Sequence, residues 1–202
     1  IARGVAVLLL IAVGSSFAAA QAAEETGEES ASLTIEEQYL SSGITAGTLD
    51  AQLRTDQEEL KLLALSSMED QFRSGGLARD NETAFQALSY VMNEGVTHVT
   101  KGNDMPLHYF PEVRRRAAEV MALSTHEGAV DQLVTNVIED PEAAVQAEAL
   151  YSLGEIGKDP DGTVSRAIAK RMLWEDLEKP DPAVIYAALV ALEQIYAQPD
   201  ND

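Results

Sequence analysis

One phrase recurs along the chain: an aliphatic residue, then small or apolar residues four, seven and eight positions later. It is clearest in Val145, Ala149, Ser152, Leu153 and again in Val184, Ala188, Ala191, Leu192, with Ile156 and Ile195 three residues further on. Val113, Ala117, Val120, Met121 form a weaker copy, and Leu60, Ala64, Ser67, Met68 the faintest. That spacing puts the apolar side chains on one face of a helix. The starts at 113, 145 and 184 lie 32 and 39 residues apart, a period characteristic of helical-repeat arrays.

Helix signals punctuate the rest. Thr34-Ile-Glu-Glu37 and Thr55-Asp-Gln-Glu58 have the hydroxyl-then-glutamate spacing of capping boxes. The first predicts a short helix ended by Ser41-Ser42-Gly43, followed by a turn or helix with Ile44, Leu49 and Leu53 inward. The second predicts a helix to about Phe72, burying Leu60, Leu63, Ala64, Ser67 and Met68 and closed by Arg73-Ser-Gly-Gly76. A helix from Asn81 to Glu94 stops at Gly95, and 96–110 shows no period, so it reads as structureless. Helices at 111–124, 127–139, 141–156, 163–178 and 182–197 follow, with Pro111, Pro141 and Pro182 at first-turn positions and Asp140 and Asp181 as caps. No strand-like alternation of useful length occurs, which predicts an all-α chain.

The N-terminus has a different character. Arg3, the apolar run Gly4–Val13, then Gly14-Ser-Ser and a small-residue stretch through Ala23 match a secretory signal over 1–22, cleaved after Ala20 or Ala22. The apolar run is shorter than the ~20 residues needed to span a bilayer. Opening on Ile1, the sequence is expected to lack part of its original start. Residues 23–33 are an acidic tether, 34–55 N-terminal capping helices and 56–197 the repeat domain. The expected location is periplasmic or secreted, with no membrane insertion after cleavage. There is no cysteine, which excludes disulfides, thiolate metal sites and a lipidated cysteine anchor.

The 34 acidic and 14 basic residues give a net charge of −20, and loss of Arg3 with the signal makes it −21. Such a surface repels nucleic-acid phosphates and anionic lipids, so neither is expected as a partner.

With Asp140-Pro141 before one copy, Asp181-Pro182 before another and Val113-Arg114 in a third, the chain resembles the HEAT-repeat family, in particular its short bacterial, phycobilisome lyase-type variety. The resemblance implies a short right-handed α-solenoid with an N-terminal helical cap. It also implies protein binding through a concave face, here built by helices 81–94, 127–139 and 163–178. The family's arginine after the valine is kept only at Arg114; Gln146 and Ile185 stand there later and Lys61 earlier, so little of its inter-repeat Asp–Arg ladder is expected.

Catalytic patterns are missing. No nucleophile elbow, P-loop or dinucleotide fingerprint occurs, and the carboxylates are too dispersed to nominate an acid–base pair. His98, Asp104 and His108 lack metal-ligand spacing, and His126 sits in a turn. The expectation is a non-enzyme with no cofactor, binding another envelope protein as a scaffold. The alternative is a chaperone- or lyase-type accessory subunit. Candidate contact residues are Arg166, Lys170 and Arg171 on one helix, polar Asp131 and Asn136, and Tyr109 and Phe110 beside the irregular segment. Trp174 reads as partly buried packing, and the last helix, with no visible second partner, is a possible docking element.

Overall fold

Caps and helix breakers cut the chain into the elements of a computed structural model, which describes residues 35–97, 100–102, 105–176 and 178–198. The signal (1–22), the tether (23–33) and the Thr34 capping box lie outside the described residues, as do His98 and Asp104. The helices are α1 (Ile35–Leu53), α2 (Glu58–Ser74), α3 (Glu82–Asn93), α4 (Pro111–Met121), α5 (Ala129–Glu139), α6 (Ala143–Ile156), α7 (Thr163–Leu173) and α8 (Pro182–Tyr196). Two strands, β1 (Thr100–Gly102) and β2 (Met105–Leu107), pair antiparallel between α3 and α4.

The helices form two layers. In one, α2, α4, α6 and α8 pack successively side by side; in the other, α1, α3, α5 and α7 do the same. Each odd helix also packs on the even helix that follows it. The fold is an all-α, solenoid-like array, and the repeated phrases at 113, 145 and 184 lie on neighbouring members of one layer. Alanines make this close stacking possible: Ala64, Ala117, Ala149 and Ala188 are all buried. Gly154 goes further, because a Cβ there would lie 2.9 Å from the Cα of Ala191 and against the Gln194 side chain. Ser152 Oγ donates to the Ala118 carbonyl at 2.9 Å, tying α6 to α4 inside the core.

Several caps stand where the sequence places them. Asn81 Oδ1 accepts from Ala84 N, Asp181 Oδ1 accepts from Ala183 N and Val184 N, and Pro111 and Pro182 occupy first-turn positions. Gly75 ends α2 with φ 77°. Gly95 also has positive φ, and a Cβ there would meet the His108 carbonyl at 2.9 Å, so only glycine suits this corner.

Other expectations are corrected. Ser41-Ser42-Gly43 does not break α1, which runs on as one helix; Thr45 Oγ1 bonds back to the Ser41 carbonyl within it. Thr55 does not cap α2; its hydroxyl donates to the Gln52 carbonyl, and α2 begins at Glu58. Asp140-Pro141 does not open α6. Asp140 closes α5, and its carboxylate accepts from Glu142 N before α6 starts at Ala143. Helix α7 stops at Leu173 rather than 178, leaving Leu173 and Trp174 exposed. Leu60, Leu63 and Ile44 are also exposed, while Lys61, Leu65 and Phe72 turn inward. The segment 96–110 is not structureless, since it holds the β1–β2 ladder.

Candidate functional site

A chain of polar side chains runs between the two layers, anchored at the C-terminal ends of the odd helices. Lys61 of α2 is fully buried and pairs with Glu94, the residue closing α3. Glu94 also accepts from the Tyr90 hydroxyl at 3.3 Å. One repeat on, Arg114 of α4 reaches Asp140, the residue closing α5, with Nε 2.7 Å from Oδ2. The guanidinium lies over the Tyr109 ring, 4.7 Å from its centroid, and the Tyr109 hydroxyl donates to Glu142 at 2.6 Å.

At the next level the cation changes helix. Gln146 replaces arginine on α6, donating to the Asp140 carbonyl and accepting from Arg171 Nε at 2.8 Å. Arg171 in turn pairs with Glu175 at 2.7 Å, and Glu175 accepts from Asp181 N. Among the described residues the aspartate–arginine rung between repeats forms at Arg114–Asp140, while Lys61–Glu94 and the Gln146–Arg171 contact take its place at the neighbouring levels, where the sequence departs from the family's arginine. A buried charge needs a partner; here glutamine links the backbone carbonyl that closes one odd helix to a cation on the next.

The candidate contact residues divide accordingly. Arg171 belongs to this network. Tyr109 and Phe110 are half-buried, the first under Arg114 and the second against the core. Asn136 is buried rather than presented to solvent: its Nδ2 donates to the Met92 carbonyl at 3.0 Å and its Oδ1 accepts from Gln132. Satisfying the Met92 carbonyl inside the array is a structural task. Burial pushes the Tyr109 hydroxyl above its ordinary pKa, with the bond to Glu142 adding to the shift.

Three candidates do face outward. Asp131 is exposed and lines an open cleft of about 250 Å³ with Lys158, Pro160, Asp161 and Thr163. Arg166 bonds the Asp161 carbonyl and Thr163 Oγ1, neither of them a carboxylate oxygen. Lys170, one turn further, places Nζ 4.7 Å from the Trp174 ring centroid. Trp174 is 57 % exposed, so it is a surface ring and not packing.

Arg115 and Arg116 form ion pairs that bridge helices of the even layer. Arg115 contacts Glu112 and Glu148, and Arg116 contacts Glu69 and Glu119. The Glu112 bond raises the Arg115 pKa, whereas burial raises that of Glu148. His126 stacks on Phe85 at 3.9 Å, with Nε2 2.8 Å from Glu82 and Nδ1 accepting from Gly128 N. His108 lies 3.6 Å from Asp56. Among the described residues no group of three or more His, Cys, Asp or Glu is placed to hold a metal ion, and no helix is long and apolar enough to cross a membrane.

Sequence reasoning offered the last helix as a docking element without naming the residues it presents. Tyr186, Leu189 and Tyr196 of α8 are exposed, near two-thirds each. Their spacing of three and seven on the face opposite Val184, Ala188 and Ala191 was the available signal.

Paired helices stacked in two layers and joined by a polar ladder define a helical-repeat protein. Over residues 107–193 the chain matches the family model for HEAT repeats and is similar to that family. That similarity points to a protein-interaction module. No curated protein matches the chain.

Proposed function

We propose that this chain is an exported, non-catalytic scaffold module that binds an acidic segment of another envelope protein along the α7 side of the odd layer. The observation that carries this reading is the exposed trio Arg166, Lys170 and Trp174. On a molecule of net charge −20, two neighbouring exposed cations beside a surface tryptophan are the natural landing point for carboxylates. Arg166 is held in place by backbone and hydroxyl oxygens, so its remaining N–H donors stay available to a ligand. The export reading rests on the N-terminal order of Arg3, apolar run and small residues.

Affinity capture from envelope extract, run in parallel with an Arg166→Glu/Lys170→Glu bait, tests this. The charge-reversed bait is expected to lose the partner that the native bait recovers, more completely at low than at high salt. Equal recovery by both baits refutes the α7 surface as the contact.

A further inference from the structure

Among the described residues, the two ends of the even layer lack the cover that its interior helices have. The position occupied by Leu65, Ala118 and Leu150 in α2, α4 and α6 is fully buried by the next even helix, yet its counterpart in α8, Leu189, is 61 % exposed. The position of Val113, Val145 and Val184 is fully buried by the preceding even helix, whereas its counterpart in α2, Leu60, is 39 % exposed. A terminal repeat that closes an array presents a polar outer face. Here both ends keep large apolar residues: Tyr186, Leu189 and Tyr196 on α8, Leu60 and Leu63 on α2.

The register identifies what each end fits. Between α4 and α6, Arg115 pairs with Glu148 across the layer. Between α6 and α8 the same two positions hold Ala147 and Ala187, both buried. Continuing the stack by one step brings Tyr186 of α8 opposite the position that is Leu63 in α2. An ion pair, then two alanines, would be followed by a tyrosine on a leucine, which is a compatible apolar contact.

We propose that the protein associates head to tail with a second copy of itself, the outer face of α8 in one molecule packing on the α2 face of the next. The contact continues an interface that the chain already uses three times internally. It is heterologous, so it propagates unless an end is blocked. One helix face per side falls below the roughly 1,200 Å² of stable interfaces, so association is weak and concentration-dependent. With both copies strongly acidic, it strengthens as salt screens their repulsion.

Light scattering after size exclusion, across a wide concentration range at raised salt, tests the proposal. The mass is expected to climb above the monomer, and Leu189→Glu and Leu63→Glu are each expected to hold it there. Mixing the two variants restores one intact pair of ends and gives a species that stops at two copies. A monomer at every concentration means these faces serve other chains and overturns the proposal. So does association that either single variant leaves intact, the mark of a symmetric contact. Circular dichroism checks folding, with Leu63→Ser replacing Leu63→Glu if helicity falls. Arg166→Glu leaves this association unchanged, so the outcome is separable from that of the α7 surface.

Discussion

Replacing Asp140 by alanine removes one partner of an ion pair that has almost no access to water: the Arg114 and Asp140 side chains are 1 % and 0 % exposed. At 2.7 Å and an effective dielectric constant near 20, their attraction is about 6 kcal/mol. Desolvating two ions costs several kcal/mol each, so the intact pair contributes little net stability. Breaking it is another matter. Without Asp140, Arg114 stays buried beside Tyr109 with its charge uncompensated, a loss of about 3–5 kcal/mol. For a protein of this length that lowers the melting temperature by roughly 6–20 °C. The double variant Arg114→Met/Asp140→Ala removes the stranded charge and is expected to be more stable than Asp140→Ala alone, although both lose the bond from Glu142 N. Thermal and urea unfolding followed by circular dichroism supply the comparison. A loss below about 1 kcal/mol for Asp140→Ala, or a double variant no better than the single, refutes the reasoning.

Three further predictions concern the even layer. Gly154→Val forces a side chain into Ala191 and Gln194 and is expected to cost about 1–3 kcal/mol in urea unfolding, despite valine's better fit to most folded backbones than glycine. Glu69 is held below its ordinary pKa of 4.5 by its hydrogen bond from Arg73 and by the charge of Arg116. Its stabilising effect is therefore complete above about pH 4.5 and is lost as pH falls through the lower, folded value. Glu69→Gln should flatten the acid side of a melting-temperature profile. Glu148, pushed up by burial, acts in the opposite sense, and Glu148→Gln should steepen it.

The architecture was legible because stacking demands small side chains at fixed intervals, and Ala149, Ala188 and Ala191 announce that demand locally. Cap chemistry was legible for the same reason at Asn81 and Asp181, where the residue and the N–H it serves lie within three positions. What could not be read were choices settled by distant partners. Lys61 looks like a solvated lysine until Glu94, far along the chain, is placed beside it. Asp140 looks like a helix opener, but Arg114 claims its carboxylate and keeps it at the end of α5. Leu60 and Leu63 have the spacing of core residues and are exposed, because no earlier even helix exists among the described residues to cover them. The binding candidates failed or survived on this distinction: Asn136 and Arg171 serve interior partners, whereas Arg166 and Lys170 face water.

The migration of positive charge from α4 to α7 has a bearing on protein engineering. A consensus-minded designer would restore arginine at position 146. That guanidinium would then confront Arg171, which already supplies the charge from the opposite helix. Averaging the repeats would thus introduce repulsion at a place where each copy is individually well matched, so stabilised versions of this chain must be sought by treating residues 146 and 171 as a single unit of choice.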